Sequence, residues 1–317
     1  GIASSDWDTL SSEEANYPLM NRAIAGQYPS GSTIKALTTF AGLKYGICDA
    51  SSSWYCTGFW TGFGEQYGMH CWLLSGHGTV NLVTGIINSC DIVFYEIGKG
   101  FFYDDQHPEG MQETFRAFGL GSLSGIDLPE EASGRVPDAE WKWNYFTSSP
   151  DDARKWQGGD NCNLAIGQGD LLVTCLQMAN AYCGIANRGP IYKPHVLKSI
   201  NARNGNGSVI EYKNEVILSP EEKDEHRDIV ARGLYGVVYE EAAHQTIHWT
   251  NLDVTVCGKT GTAEQQSVGE PIGWFVGYAP ADNPKYVVAA NLDCAPSGAG
   301  SGMYIVRDVF GAIYNQP

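Results

Sequence analysis

A serine and a lysine three residues apart, Ser32 and Lys35, form the first candidate for chemistry in this chain. Residues at i and i+3 share one face of a helix, so the lysine amine can reach the serine hydroxyl and take its proton. The N–H groups at a helix start also stabilise a developing oxyanion. An isolated Ser-x-x-Lys more often marks a helix start with a solvated lysine, so the prediction depends on the other motifs.

Two further motifs follow in the chain, Ser89-x-Asp91 and Lys259-Thr260-Gly261, the latter continuing to Thr262. A second lysine brought near Lys35 would lower the pKa of both amines, because like charges repel. One amine can then be neutral at pH 7 and act as a base. The three motifs together predict a serine nucleophile activated by lysine.

The elements that must position these residues change character along the chain. Apolar residues recur with helical spacing up to about residue 190, and short alternating segments dominate after it. We therefore predict an α+β fold, with an antiparallel sheet flanked by helices and a helix-rich subdomain that carries the nucleophile. All of 1–317 is expected to form one domain, helix-rich over roughly 20–190 and sheet-containing over roughly 190–317.

Individual elements can be predicted from the same patterns. Thr174 and Gln177 have the spacing of a capping box at the start of a helix that ends near Gly189. Asn and Gly residues over 204–207 predict a hairpin turn. We predict the following other elements: helices over 33–46, 79–87, 92–97, 112–118, 220–237 and 303–314; loops over 51–78 and 141–159; and strands over 196–200, 209–212, 216–218, 254–262, 273–278 and 286–292.

Charge and hydropathy exclude some classes of partner. The net charge is −16, from 36 acidic and 20 basic residues, so no nucleic-acid partner is expected. The most apolar long stretch, 171–186, is too short and too polar to span a bilayer. No signal peptide is recognisable, and any targeting segment is expected to lie outside this sequence.

The nine cysteines allow more than one interpretation. Their spacing contains no C-x-x-C pair and no recognisable Cys/His ligand set, so the sequence predicts no metal and no cofactor. Cys56 and Cys71 flank a loop rich in Gly and aromatic residues, and a disulfide between them would suit an exported protein. Buried free thiols are the equally weighted alternative. His77 lies in the same loop and is expected to be structural rather than part of a Ser-His-Asp triad, since Lys35 already supplies a base.

Several stretches together resemble one known family. Tyr28-Pro29-Ser30-Gly31-Ser32-Thr33-Ile34-Lys35 resembles the signature of penicillin-binding transpeptidases, and the order Ser-x-x-Lys, Ser-x-Asp, Lys-Thr-Gly is typical of that family and of class A β-lactamases. Similar motifs occur at 75–78, 165–169, 176–179, 258–264 and 274–280. The resemblance extends from about residue 21 to the C-terminus and is to the transpeptidase domain of class B penicillin-binding proteins.

The resemblance implies a role for each motif residue. Ser32 would attack a D-Ala-D-Ala stem peptide of peptidoglycan to form an acyl-enzyme, and Lys35 would take its proton. Ser89 would relay a proton between Lys35 and Lys259 to the leaving D-alanine. The N–H groups of Ser32 and Thr262 would form the oxyanion hole. The substrate carboxylate would be held by Thr260, Gly261 and Thr262 together with the charge of Lys259.

The resemblance also implies a cellular setting. β-Lactam antibiotics would be covalent inhibitors that acylate Ser32. A membrane anchor outside this sequence would hold the domain on the extracytoplasmic side of the bacterial membrane, and a polytopic glycosyltransferase would be a partner. No cofactor is implied.

One residue departs from the family pattern, and other activities share the same motifs. Asp91 stands where asparagine is common, and its carboxylate would favour a charged Lys35 and slow acylation by β-lactams. Alternatively, Asp91 is neutral or paired with Lys259 and still accepts or orients a substrate amide. The alternatives are a class D-like serine β-lactamase, a β-lactam sensor domain, and a D,D-carboxypeptidase that uses water as the acceptor.

Overall fold

A computed structural model describes residues 1–12, 14–15, 17–203, 207–264, 271–293, 295 and 299–315. Short 3₁₀ segments lie at Gly31–Ile34, Glu65–Tyr67, Ala242–Ile247 and Trp249–Asn251. The α-helices are α1 Ser4–Leu10, α2 Lys35–Lys44, α3 Leu82–Ile87, α4 Asp91–Tyr103, α5 Gly110–Ala117, α6 Ala139–Tyr145, α7 Asp151–Arg154, α8 Gly158–Ala165, α9 Cys175–Ala186, α10 Asp224–Tyr239 and α11 Ala299–Tyr314.

The strands form one central sheet and several two-stranded pairs. The strands are β1 Ser53–Cys56, β2 Phe59–Trp60, β3 Met69–His70, β4 Gly78–Asn81, β5 Ile191–Tyr192, β6 Ser199–Asn201, β7 Ser208–Glu211, β8 Val216–Leu218, β9 Cys257–Ala263, β10 Ile272–Ala279 and β11 Tyr286–Leu292. In the central sheet β10 pairs antiparallel with both β9 and β11. One edge of β9 therefore has no strand partner in the described chain and faces the helix-rich part.

Alternation along β10 divides its side chains between two cores. Trp274 and Val276 join the large core formed with α2, α4 and α9, whereas Phe275 joins a second core with Met303 and Phe310 of α11. Successive side chains of a strand point to opposite faces, so helices pack on both sides of the sheet. They bury β10 completely, whereas β11 stays partly exposed. This is the predicted α+β arrangement, with the sheet covered by helices.

The predictions for long, strongly patterned segments are confirmed. β11 has the predicted limits, and β9, β10, α10 and α11 lie within a few residues of theirs. The capping box at the start of α9 is present: Gln177 N donates to Thr174 Oγ1 at 3.1 Å, and Thr174 N donates to Gln177 Oε1 at 3.0 Å. A reciprocal cap of this kind is local, so its spacing can be recognised in the sequence.

Other predictions are wrong, mainly where an element is short. The segment 141–159, predicted as loop, contains most of α6, all of α7 and the start of α8. Asp138 caps α6 by accepting from Trp141 N at 2.7 Å, a signal that the sequence contained. The segment 79–87 begins as strand β4 before α3, and 51–78 contains β1, β2 and β3. The predicted turn over 204–207 lies outside the described residues except for Gly207.

Helices in the described part of the chain lack the combination of length and apolar character needed to cross a bilayer.

Candidate active site

The Ser32 motif is a 3₁₀ turn that runs directly into α2. Gly31 has a left-handed φ of +51°, and Thr33 Oγ1 donates to Ser30 O at 2.7 Å, which closes the turn. From the opposite side Tyr182, fully buried on α9, donates its hydroxyl to Thr33 O at 2.9 Å. Ser32 is thus held in a rigid turn at the amino end of a buried helix.

The edge of β9 packs against this turn. A Cβ at Gly31 would lie 2.6 Å from Thr262 O, and a Cβ at Gly261 would lie 2.8 Å from Ser30 O. Both contacts are closer than a side chain permits, so the glycines allow the two backbones to touch. Trp274 on β10 adds a hydrogen bond from Nε1 to Pro29 O at 3.0 Å. The turn that carries Ser32 and the strand that carries Thr262 therefore meet, as the predicted oxyanion hole requires.

The Ser89 motif lies in the junction between α3 and α4. Ser89 has a left-handed φ of +50°, and Asp91 is the first residue of α4. The side chains of both residues point toward Lys35. A non-glycine residue in this backbone region costs free energy and persists where its surroundings hold it.

Lys35 is fully buried, and its amine hydrogen-bonds to the Ser89 motif. Its Nζ donates to Ser89 O at 2.8 Å, to Ser89 Oγ at 3.2 Å and to Asp91 Oδ1 at 2.7 Å. An ammonium has three N–H donors, and three acceptors surround this one. The contact with Asp91 is a charge-assisted hydrogen bond, a strong type of hydrogen bond.

Lys259 approaches the same hydroxyl from β9. Its Nζ lies 3.1 Å from Ser89 Oγ and also contacts Thr260 O and Thr260 Oγ1, at 3.1 and 3.3 Å. Burial holds the pKa of Lys259 well below its ordinary value, and repulsion from Lys35 lowers it further. Ser89 Oγ therefore lies between two buried amines. The amine of Lys35 is paired with the Asp91 carboxylate, and the amine of Lys259 readily gives up its proton.

The predicted contact between Ser32 and Lys35 is absent from the described part of the chain. Ser32 Oγ makes no hydrogen bond there, while Lys35 faces Ser89 and Asp91. Catalytic hydrogen bonds often tighten only when substrate binds, so this geometry does not exclude Lys35 as the base for Ser32. The structure brings together the predicted residues Lys35, Ser89, Asp91 and Lys259.

Trp72 contacts the Ser89 motif, a role that the sequence did not predict. Its backbone N–H donates to Asp91 Oδ2 at 2.9 Å, and its indole Nε1 donates to Asn88 O at 2.9 Å. Both oxygens of Asp91 are thus occupied, one by Lys35 and one by Trp72. A backbone N–H leaves no signature in the sequence, so only the tertiary structure shows this contact.

A second cluster lies immediately behind the Ser89 motif. Ligand atoms of Cys56, Cys71, His77 and Cys90 all lie within 4.8 Å of one another. Cys56 at the end of β1 pairs with Gly78 at the start of β4, which places His77 beside it. His77 Nδ1 lies 3.4 Å from Cys56 Sγ and 3.6 Å from Cys71 Sγ. The spacing of the cysteines and histidines gave no sign of this cluster, because antiparallel pairing brings Cys56 and His77 together although they are far apart in the sequence.

The donor set fits a structural zinc ion. Three sulfurs and one imidazole nitrogen are a standard tetrahedral zinc set, in which neighbouring nitrogen and sulfur ligands lie about 3.5 Å apart. The cysteines of the cluster are buried. The hydrogen bond that Cys71 and Cys90 share lowers the pKa of the Cys71 thiol and, together with burial, raises the pKa of Cys90. Of this pair, Cys71 is therefore the thiol that more readily forms the thiolate that binds metal.

The alternative of a Cys56–Cys71 disulfide is not present in this structure. All the cysteines of the described residues are free thiols, and Cys294 lies outside that part. The predicted structural role of His77 agrees with its place in the cluster: its polar contacts within the described chain are the sulfurs of Cys56 and Cys71, and its Nε2 is buried without a hydrogen bond.

A Ser-x-x-Lys turn packed on the edge of an antiparallel sheet, with a Ser-x-Asp turn across the cleft, defines the architecture of the serine acyl-transferase and β-lactamase-like superfamily. Within that superfamily the chain belongs to the family of penicillin-binding protein transpeptidase domains, whose family model matches residues 3–314.

Curated relatives agree with this assignment. The chain is 31% identical to the peptidoglycan D,D-transpeptidase MrdA of Acinetobacter baumannii, over 98% of this chain and 46% of the relative. It is 28% identical to MrdA of Escherichia coli K12, over 95% of this chain and 48% of the relative. The chain thus spans about half the length of the curated relatives that it matches.

Solved structures show the same fold. The penicillin-binding protein PBP2 of Pseudomonas aeruginosa, solved with WCK 5153, superposes with a TM-score of 0.84 at 28% identity, covering 99% of this chain and 67% of that chain. PBP2 of Helicobacter pylori superposes with a TM-score of 0.80 at 26% identity, covering 97% and 53%.

Proposed function

We propose that this chain is a peptidoglycan D,D-transpeptidase domain that cross-links stem peptides through an acyl-enzyme on Ser32. The observation that carries the proposal is Ser89 Oγ, which lies 3.2 Å from Lys35 Nζ and 3.1 Å from Lys259 Nζ. This hydroxyl connects the amine of Lys35, three residues after Ser32 in the sequence, to the Lys259 amine, whose pKa is lowered. The name shared by the curated relatives supports the same activity.

The proton path follows from these contacts. The substrate's terminal carboxylate docks at Thr260 and Thr262, where its negative charge favours a charged Lys259. Lys259 then takes a proton from Ser89, and Ser89 takes one from Lys35. Neutral Lys35 accepts the hydroxyl proton of Ser32, whose oxygen bonds to the penultimate D-Ala carbonyl carbon. The N–H groups of Ser32 and Thr262 stabilise the oxyanion.

Collapse of this intermediate breaks the peptide bond to the last D-alanine. The leaving amine takes its proton from the relay that ends at Ser89, and the acyl group remains as an ester on Ser32. An amine from a second stem peptide attacks the ester, forms a new amide bond and returns the proton to Ser32 through Lys35. A β-lactam follows the first half of this path and leaves a stable ester.

We also propose an extracytoplasmic setting with an anchor outside this sequence, since the substrate is cell-wall peptide. PBP2 of Helicobacter pylori has been solved in complex with MreC. A further neighbour was described as a peptidoglycan synthase complex that coordinates polymerization and crosslinking, and it supports a polymerising glycosyltransferase as partner here. It is 26% identical to this chain and superposes with a TM-score of 0.81.

The first experiment is intact-mass analysis of the protein after incubation with benzylpenicillin, followed over hours beside Ser32→Ala. A persistent adduct in the wild type that is absent from the variant supports the proposal. Rapid return to the free mass with hydrolysed drug would identify a β-lactamase. Peptide assays then separate the remaining activities: product joined to an added amine marks a transpeptidase, hydrolysed peptide alone marks a carboxypeptidase, and neither product marks a sensor domain.

We further propose that Cys56, Cys71, His77 and Cys90 bind one zinc ion with a structural role. The set offers four protein ligands, which is the closed coordination of a structural site rather than the open coordination of a catalytic one. Native mass spectrometry after purification in zinc should show one bound ion, and Cys90→Ser should lose it. A wild type that takes up no zinc from buffer overturns this proposal and leaves the acyl-transfer proposal intact.

A further inference from the structure

A cavity of about 590 Å³ opens at one end of the central sheet, and none of the described residues that line it belongs to the active-site motifs. It lies between α10, α11 and two loops, the segment 249–255 that leads into β9 and the segment 280–282 that leaves β10. The pairing of Cys257 with Tyr278 places both loops at the same end of the sheet. A volume of this size is typical of cavities that bind a ligand.

Aromatic side chains form much of the cavity wall. Four of them, from α10, α11 and the 3₁₀ turn before β9, line it: Tyr235, Tyr239, Trp249 and Tyr314. The Tyr239 hydroxyl accepts from Val256 N at 3.0 Å, and the Tyr314 hydroxyl donates to Ala279 O at 3.2 Å. The ring of Tyr235 packs on that of Tyr239, with centroids 4.8 Å apart. The fold therefore holds these rings in place before a ligand binds, which reduces the entropy lost on binding.

The charged groups of the cavity are both acidic. Asp253 lies before β9 and Asp282 after β10, and both residues are exposed. Neither carboxylate forms an ion pair with a described residue, and the lining within the described chain contains no Lys, Arg or His. Aromatic faces and carboxylates both attract a cation, and no basic group of this lining repels one. The cavity is therefore suited to a positively charged ligand.

Trp249 adds a hydrogen-bond donor that the fold does not satisfy. The residue is 2% exposed, and its indole Nε1 is buried without an acceptor among the described residues. Its ring packs on Phe275 of β10, with centroids 5.4 Å apart. An unpaired buried N–H group is unfavourable, so this donor indicates a partner that the described chain does not supply. A peptide carbonyl would be such a partner, whereas a simple alkylammonium ion would not.

We infer that this cavity binds a basic peptide segment of a partner protein. A Lys or Arg side chain lies along the aromatic rings with its charged end at Asp253 and Asp282, and a peptide carbonyl accepts from the Trp249 indole. The aliphatic part of such a side chain packs well on aromatic rings while its charge stays near carboxylates. The net charge of −16 steers basic segments toward the chain. The inference goes beyond the proposed function and does not depend on acylation of Ser32.

The experiment titrates the peptide acetyl-Lys-Gly-Arg-amide into protein labelled with nitrogen-15 and follows the indole N–H resonances by NMR. The resonance of Trp249 is the one missing from the spectrum of Trp249→Phe. We expect this resonance to shift to saturation in the wild type, because the indole gains an acceptor. The neutral peptide acetyl-Gln-Gly-Gln-amide should leave it in place at the same concentrations. Ser32→Ala should bind the basic peptide as tightly as the wild type does.

Two double variants separate binding in the cavity from attraction by the net charge. Asp253→Asn combined with Asp282→Asn removes both carboxylates of the cavity and should weaken peptide binding about tenfold. The matched control combines Asp8→Asn with Asp105→Asn, which changes the net charge equally at two exposed positions outside the cavity. The control should bind as tightly as the wild type. All four residues are exposed, so both double variants are expected to fold.

Each result supports or overturns the inference. A saturable shift of the Trp249 resonance that weakens only in the cavity variant supports it. An unmoved Trp249 resonance, or equal weakening in the two double variants, overturns it. Tetramethylammonium and N-acetylglucosamine are titrated in parallel. A shift as large with tetramethylammonium as with the peptide would mark a site for small organic cations, and a shift with the sugar alone would mark a carbohydrate site; either overturns the peptide assignment.

Discussion

Lys35 Nζ lies 2.7 Å from Asp91 Oδ1, and both residues are buried. The amine expected to deprotonate Ser32 is therefore paired with a carboxylate, whose second oxygen accepts from the Trp72 backbone. In this state Lys35 is a proton donor to its neighbours and becomes a base only after it loses a proton. We therefore expect Asp91 to restrain the activation of Ser32.

Asp91→Asn tests this restraint. The amide keeps the shape and a hydrogen bond to Lys35 but removes the negative charge that favours the ammonium. We expect acylation by benzylpenicillin to become about tenfold faster, equivalent to about 1.4 kcal/mol of barrier. Stopped-flow measurement of the acylation rate constant checks this. A variant acylated no faster than the wild type contradicts the role of Asp91.

Gly31→Ala tests the contact between the Ser32 turn and β9. A Cβ at Gly31 would lie 2.6 Å from Thr262 O, so the turn and the strand must separate. Because Ser32 and Thr262 supply the predicted oxyanion donors, we expect acylation to fall about a hundredfold. Gly46→Ala is the matched control, since Gly46 also has positive φ (+72°) but nothing lies within 4 Å of its added Cβ. The control should lose about 1 kcal/mol of stability and keep its acylation rate; equal loss of acylation in both variants argues against the contact.

Replacing the two buried lysines by methionine should change the free energy of unfolding in opposite directions. Between the lowered folded-state pKa of Lys259 and its ordinary value of 10.5, the unfolded chain binds a proton that the folded chain does not. The free energy of unfolding therefore rises with pH across this window. We expect Lys259→Met to be more stable than the wild type at pH 7, with the advantage shrinking as pH approaches 10.5.

Lys35→Met should instead destabilise the chain by about 3 kcal/mol, because it leaves the Asp91 carboxylate buried without its cation. Urea unfolding of the wild type and both variants, repeated from pH 7 to pH 10, measures these differences. Loss of stability in both variants at pH 7, with no pH trend for Lys259→Met, would show that Lys259 is charged in the folded protein.

Tyr182→Phe tests whether α9 stabilises the turn that carries Ser32. The variant leaves the Thr33 carbonyl without the Tyr182 hydroxyl, 2.9 Å away in a fully buried position. We expect about 1 to 2 kcal/mol of destabilisation and a several-fold slower acylation. Tyr314→Phe removes a comparable hydrogen bond, 3.2 Å from the hydroxyl to Ala279 O, on the far side of the sheet. It should leave acylation unchanged, and an equal effect of the two variants on the acylation rate would contradict a specific role for Tyr182.

The active-site motifs were predictable because each is local. Ser32 and Lys35 are neighbours on one turn, and Lys259, Thr260 and Gly261 are consecutive residues of β9. Outside the site, Thr174 and Gln177 form an equally local reciprocal cap. Interactions within a few residues are determined mainly by spacing and residue type. The same reasoning failed for α7, a helix of a single turn whose pattern is too short to read.

The sequence alone determined the class of fold, and it predicted which residues of that fold would carry the chemistry. The tertiary structure decided which of these ionisable groups contact one another and which are buried. Lys35 faces Asp91 rather than Ser32, the pKa of Lys259 falls because packing buries it, and His77 meets Cys56 through the pairing of β1 with β4. Contacts between distant segments depend on burial and on strand pairing, neither of which is encoded in local spacing.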